Sequence, residues 1–396
     1  MNKPIKMPVY LDYAATTPAD PAVVEAMLPY LGPEGCFANP ASVSHAAGRA
    51  ARKAVEEARA QVAALVGAEA DEIVFTSGAT ESDNLALQGV LHHAGGKARL
   101  VTDSIEHKAV LDTAHVLESE GHPVSYLAPG PDGRVSVKAL REAIREDTAL
   151  VSIMLVNNEV GTIQDIAALG GVCRERGVLF HVDAAQGAGK LPINLAELPV
   201  DLMSFSGHKV YGPKGIGAIY VRKSPNVRLD ALMHGGGHEH GCRSGTLATH
   251  QIVGMGRAFD IARTRLEEDA AHCRRLTDRL HEGFAALGGV SVNGPEAAHR
   301  ATHILNLAFE DVVAQTLLYF LTDVSVSTGS ACSSASRAPS YVLKALGCSD
   351  ERARASLRLS VGRFTTAKEV EFAIEHIGAA VNRLREMAPA AIRTTA

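Results

Sequence analysis

Short apolar runs alternate with helix-period segments over the first two thirds of the chain. Residues 73–76, 100–102, 150–155, 179–182, 202–205 and 216–221 read as strands. Segments 49–65, 82–91, 108–120, 137–145 and 166–176, lying among them, carry apolar residues at helical spacing. Strands that alternate with helices predict parallel βαβ units. Several of these strands are apolar throughout, as strands covered on both faces should be.

The pattern changes near residue 262. A charged amphipathic segment, 263–287, predicts a long helix. It leads to two further strands, 290–293 and 304–309, and a helix-rich close. This predicts a large α/β domain over 15–261 and a smaller α+β domain over 262–396, with residues 1–14 packing on the latter. The 396 residues suffice for two such cores.

In a parallel sheet the ligand site lies at the carboxyl ends of the strands. After 73–75 comes Thr76-Ser-Gly-Ala-Thr80-Glu81, then a helix. Free amides at such a turn suit a phosphate, although the same residues also serve plain helix capping. After 100–102 comes Ser104-Ile-Glu-His107, where a histidine can stack on a flat ligand, move protons, or do neither. After 150–155 comes Val156-Asn157-Asn158-Glu159, a turn that can simply bond its own loop. After 178–182 comes Asp183, then Gln186. An acid there needs a partner, because an unpaired buried charge is costly; an arginine or a protonated ring nitrogen would serve.

After 202–205 comes Ser206-Gly-His208-Lys209. Lys209 has no Asp, Glu, Lys or Arg within four residues on either side. A lysine buried at a strand end can act as a nucleophilic amine. A phosphate cradle, a ring-stacking histidine, a buried carboxylate and a reactive lysine on one sheet edge meet the needs of pyridoxal phosphate.

Composition narrows the class further. The net charge is −5, with 21% charged and 46% hydrophobic residues, and acids and bases are mixed along the chain. A nucleic-acid protein would show a basic face or run. No apolar stretch approaches the roughly 18 residues of a membrane helix. The N-terminus lacks the apolar core of a signal peptide, so a cytoplasmic protein is expected. The six cysteines are scattered without a CxxC pair, which fits a reducing compartment. Cys332 lies in Ser327 to Ser336, a run of Ser, Ala, Gly and Thr that predicts an exposed loop and an accessible thiolate. Cys36, Cys173, Cys242, Cys273 and Cys348 are expected to be inert, buried cysteines. His234, His238, His240 and Cys242 have metal-like spacing, but the glycines among them give no fixed ligand set, and no metal is expected.

The chain resembles the group I cysteine desulfurases, the NifS/IscS type, within the fold-type I pyridoxal-phosphate enzymes. The likeness rests on FTSGATESDN (75–84), EHKAVLDT (106–113), VNNEVGTIQDI (156–166), HVDAAQ (181–186), MSFSGHKVYGPKGIGA (203–218), HGGGHEHGCRSGT (234–246) and STGSACSSAS (327–336). It implies a mostly parallel seven-stranded sheet covered by helices, plus the smaller domain. By matching position, Lys209 would hold pyridoxal 5'-phosphate as a Schiff base and Asp183 would face its ring nitrogen. His107 would lie over the ring and move protons. Ala79, Thr80, Ser206 and His208 would bind the phosphate, and Asn158 and Gln186 would contact the ring. Thr246 would reach the phosphate of a neighbouring subunit, which implies a homodimer. Arg358 would hold the substrate carboxylate, with Asn39 near the same pocket. Cys332 would be the catalytic cysteine.

The activity so implied takes sulfur from L-cysteine, yields L-alanine and leaves a persulfide on Cys332. The persulfide would pass to an acceptor such as an iron–sulfur scaffold protein. Selenocysteine and cysteine sulfinate remain alternative substrates, as does another class-V lyase or aminotransferase reaction. Where family members often show an acidic, glycine-containing patch, this chain has Glu310-Asp-Val-Val-Ala-Gln315. Its tail after Met387 is also shorter than the one with which housekeeping members dock the scaffold.

Overall fold

A computed structural model describes residues 5–224, 226–329 and 338–387. Strand β1 (Val9–Tyr10) and helix α1 (Pro21–Met27) precede the long helix α2 (Ala46–Val66). Strands and helices then alternate: β2 (Ile73–Thr76), α3 (Ala79–Ala94), β3 (Arg99–Asp103), α4 (Lys108–Ser119), β4 (Val124–Leu127), α5 (Val137–Ala143), β5 (Thr148–Ser152), α6 (Ile166–Arg176) and β6 (Leu179–Asp183). Strands β7 (Leu202–Ser206) and β8 (Gly217–Val221) complete the series. Helix α7 (Thr249–Ala285) leads to β9 (Val290–Val292), β10 (Ile304–Phe309), α8 (Ala314–Phe320) and β11 (Val324–Ser325). Helices α9 (Tyr341–Ala345) and α10 (Asp350–Arg354), strand β12 (Ser356–Ser360) and helix α11 (Ala367–Met387) follow.

Seven strands form one sheet in the order β2-β8-β7-β6-β5-β3-β4. All neighbours are parallel except β8, which runs antiparallel to both β2 and β7. The fold is therefore α/β with a mostly parallel sheet. The six strands anticipated in this region all form. The seventh, β4, carries no continuous apolar run, because it sits at the sheet edge with three of its four residues part-buried or exposed. Strand β5 ends earlier than its apolar run, yet the amides of Ile153 and Leu155 still bond to the carbonyls of His181 and Asp183.

Helix α7 starts well before its charged segment. Ile252, Met255, Phe259 and Ala262 pack into the core around the large sheet, whereas Cys273, Leu276, Leu280 and Phe284 pack into a second core. One helix of 37 residues, about 55 Å long, thus joins both cores. Its first half is hard to read because Gly254 and Gly256 weaken the helical pattern. Gly256 is needed there: a Cβ would stand 2.6 Å from the Ala58 Cα of α2.

The second core is built on the antiparallel sheet β12-β10-β9 and a small parallel pair, β1 with β11. Val9 and Leu11 belong to this core, while Ala14 belongs to the first. The N-terminal arm therefore crosses from one core to the other.

A buried ion pair fixes the glycine-rich segment to the sheet. Both guanidinium Nη atoms of Arg59 donate to the Glu239 carboxylate at 2.7 Å, and the Phe75 amide donates to the same group at 2.7 Å. Glu239 holds a left-handed φ of 51°, a cost that the three bonds offset. Removing one partner of such a pair strands the other charge. Glu239→Ala is expected to destabilise the fold by about 3–5 kcal/mol, read as a lower urea midpoint in chemical unfolding.

Candidate active site

The carboxyl ends of β2, β6 and β7 and the turns after β3 and β5 open on one cavity of about 500 Å³. Lys209, Asp183, His107, Ala79, Thr80, Asn158, Gln186, Ser206, His208 and Arg358 all line it. The sheet places them together because successive parallel strands end on the same edge.

Lys209 follows β7 on a tight turn. Its Nζ donates to the carbonyls of Ala14 at 2.6 Å and Ala15 at 2.8 Å. Asp183 is buried at the end of β6 and accepts the Ala185 amide at 2.8 Å. Burial pushes its carboxyl up, and His107 and Lys209 pull it back down. His107 caps α4: its Nδ1 accepts the Ala109 amide at 3.1 Å, which leaves the proton of the neutral ring on Nε2. Burial lowers its pKa against the pull of Asp183.

Helix α3 begins without a side-chain cap, so the amides at Ala79 and Thr80 face the cavity uncapped. Glycine is required beside them. Gly78 has φ 157°, and a Cβ on Gly217 of β8 would stand 2.5 Å from the Gly78 Cα. His208 Nδ1 pairs with Thr16 Oγ1 at 3.0 Å, and burial lowers its pKa to about 4.

Arg358 enters from β12 and is fully buried. Its Nη1 donates to the Asn158 carbonyl at 2.8 Å and its Nη2 to Asp12 Oδ1 at 2.7 Å. Among the described residues, its Nε and the Asn158 Oδ1 have no partner. Gln186 Nε2 donates to the Ala14 carbonyl at 2.7 Å.

Thr246 and Asn39 are exposed and do not line the cavity of their own chain. Asn39 Oδ1 accepts the Ala41 amide at 2.9 Å. Cys332 lies outside the described residues. The segment leading to it starts beside the cavity, because Ser327 and Arg358 exchange backbone hydrogen bonds of 3.3 and 2.7 Å. Of the cysteines expected to be buried, Cys173 and Cys273 are, with thiols pushed up to about 12 by burial. Cys36, Cys242 and Cys348 are only part-buried, which corrects the expectation for them: each sits in a loop or turn, Cys242 and Cys348 at the margin of an apolar cluster. Among the described residues, no metal-compatible grouping includes His234, His238, His240 or Cys242.

Sequence reasoning passed over several supporting groups. Lys190 Nζ donates to the Lys209 carbonyl at 2.8 Å, and burial lowers its pKa to about 7. Its isolation within Gln-Gly-Ala-Gly-Lys190-Leu-Pro carries the same signal that marked Lys209. The Ala14 and Ala15 carbonyls and the Asp12–Arg358 pair leave no local trace, since their partners are hundreds of positions away.

The model of the Aminotransferase class-V family matches residues 9–372. "Cysteine desulfurase IscS" of Methylococcus capsulatus is 58% identical over 386 residues, covering 97% of this chain and 95% of that protein. Its counterpart of the same name in Mannheimia succiniciproducens is 56% identical at the same coverage. The solved structure "NIFS-LIKE PROTEIN" superposes with a TM-score of 0.88 at 37% identity, over 94% of this chain and 99% of that one. "SspA in complex with cysteine" superposes at 0.79 with 40% identity, over 90% and 99%. The chain belongs to the class-V aminotransferase family, and within it to the cysteine desulfurases.

Behind Asp183, His181 is wholly buried. Its Nδ1 meets Ser152 Oγ and its Nε2 meets Ser204 Oγ, each at 2.9 Å. Burial lowers its pKa from 6.5 to about 3. The unfolded chain therefore binds a proton between these values that folded His181 refuses, and stability falls as pH falls through that window. His181→Gln is expected to flatten the acid limb of unfolding free energy between pH 6.5 and 3 by about one proton, measured by denaturant titration at several pH values.

Proposed function

We propose that this protein is a cysteine desulfurase that holds pyridoxal 5'-phosphate in the cavity at the sheet edge, takes L-cysteine, releases L-alanine and leaves the sulfur on Cys332. One observation carries the reading: Lys209, Asp183, His107 and the uncapped start of α3 face the same 500 Å³ space.

The residues fit the cofactor. The uncapped amides of α3 with Ser206 and His208 suit its phosphate. Asp183 is a buried carboxylate in need of a cation, and a protonated ring nitrogen would supply one. The partnerless Asn158 Oδ1 offers an acceptor on the cavity wall, and Gln186 lies beside it. Lys209 is the amine that would anchor the cofactor covalently. Bound there, pyridoxal 5'-phosphate supplies the electron sink that weakens the bonds at the substrate Cα.

The chain does the rest. Arg358 receives the substrate carboxylate, held in place by Asp12 and the Asn158 carbonyl. Lys209, once free, can take the proton from the substrate Cα. His107 can pass on the proton of Nε2. The Cys332 thiolate attacks the substrate sulfur: the Cβ–S bond breaks, an S–S bond forms, and the electron pair left at Cβ takes a proton. Cysteine and thiol thus become alanine and persulfide. On this reading residues 15–261 hold the cofactor, and residues 1–14 with 262–396 bring Arg358 and Cys332 to it.

The same reading makes the protein a cytoplasmic homodimer in which the exposed Thr246 reaches the partner's phosphate site and Asn39 approaches the pocket. An iron–sulfur scaffold is its proposed sulfur acceptor. No helix among the described residues is long and apolar enough to cross a membrane.

Purified protein is expected to be yellow and to release alanine from L-cysteine. Cys332→Ala should keep the colour and lose the activity by at least about 100-fold, since a nucleophile rarely has a substitute. Lys209→Ala should lose the colour that depends on the covalent anchor. A coloured wild type that makes no alanine even with a reductant would overturn the substrate and direct the test to selenocysteine, cysteine sulfinate and transamination.

A further inference from the structure

We infer that His92, Glu120 and His122 form a zinc-binding site remote from the catalytic cavity. One donor atom of each lies within 4.8 Å of the other two. His92 stands in the last turn of α3, Glu120 is the C-cap of α4, and His122 lies two residues before β4. Two imidazoles and one carboxylate, with a position left for water, make a donor set well matched to Zn²⁺.

His122 is prepared for this role. It is buried, its amide donates to the Leu117 carbonyl at 3.0 Å, and its Nδ1 lies 2.9 Å from the Ala98 carbonyl. A carbonyl only accepts, so Nδ1 carries the proton and Nε2 keeps its lone pair. A backbone carbonyl on one ring nitrogen is how metal-ligating histidines are commonly held. The other two ligands are free to adjust: the His92 and Glu120 side chains are 36% and 41% exposed. Their Nε2 and Oε2 atoms are 2.8 Å apart. A tetrahedral zinc with bonds near 2.0–2.1 Å needs donors ~3.3 Å apart, so this contact opens slightly while His122 stays fixed.

The backbone favours a cation at the same point. The carboxyl-terminal ends of α3 and α4 both lie there, and each presents the negative pole of its helix dipole. No lysine or arginine is paired with Glu120 among the described residues.

The test uses the cofactor-loaded protein, stripped with a chelator and titrated with Zn²⁺ alone. Affinity is read by competition with a chelating dye and bound zinc is counted per chain. Cys332 and the histidines of 234–242 can add equivalents of their own, so the comparison is between variants. His92→Ala and Glu120→Gln alter exposed side chains and should each lose the same single equivalent, weakening it by more than the roughly 10–100-fold typical of losing an outer-shell partner. Zn²⁺ should raise the melting temperature of the wild type and leave that of both variants unchanged. Cofactor absorbance and alanine release of both variants should equal those of the wild type. Wild-type zinc stoichiometry and affinity retained in both variants, or binding weaker than micromolar, overturns the site and leaves His92–Glu120 as a simple hydrogen bond.

Discussion

A half-buried amine at the end of β7 needs acceptors for its protons, and here two backbone carbonyls serve. The Ala14 and Ala15 oxygens face Lys209 Nζ at 2.6 and 2.8 Å. Both belong to the N-terminal arm, which is fixed on either side of them. Before them, β1 pairs with β11 and Asp12 with Arg358. After them, Thr17 bonds the His208 carbonyl through both its amide and its hydroxyl. The arm thus links both apolar cores to the turn that carries Lys209. A loss of packing in the second core would move these carbonyls and withdraw two acceptors from the amine, at a cost that grows with its burial.

The charge pattern beneath the cavity follows from burial. Asp83, Asp103, Glu106 and Asp183 are all buried, and burial raises the pKa of each; that of Asp103 reaches about 7. For Asp83 and Glu106 the nearest acids push in the same direction as burial. A protonated carboxyl is how a buried acid avoids the full desolvation cost. His107 and Lys209 pull the other way on Asp183, at the cavity floor. The layer therefore favours ionisation at the one carboxyl that faces the proposed ring nitrogen. His181, neutral and held by two serines, fills the space behind it without adding a charge.

Much of this was legible in the sequence. Strands buried on both faces announce themselves as apolar runs, so β2, β3, β5, β6, β7 and β8 were all visible. Strand β4 was not, because only Leu127 of its four residues is buried and hydrogen bonds with β3 hold the rest. The cavity residues on the large sheet were legible because each follows an apolar run by one to five positions, and the topology turns that adjacency into proximity; Arg358, inside β12, was reached only through the resemblance. Long-range partners were hidden. Nothing near Arg358 points to Asp12, 346 positions away, and nothing near Arg59 points to Glu239. Lys190 shows the limit of the lone-lysine signal: it marks a half-buried amine, and only the sheet decides which such amine faces the cavity.

Helix α3 links the cavity end of the large sheet to its opposite end. It spans 16 residues, about 24 Å. Its first turn lacks a cap and offers amides to an anion. Its last turn holds His92 and His93, with Glu120 and His122 alongside His92. Both arrangements follow from one polarity, positive at the start of the helix and negative at its end. The two poles lie far apart along a buried, rigid element, with Leu85, Leu87 and Leu91 at most 2% exposed. A metal at the far pole would act on the stability of the α3–α4 layer, while the chemistry at the near pole depends on groups that the N-terminal arm and β12 bring in from the second core.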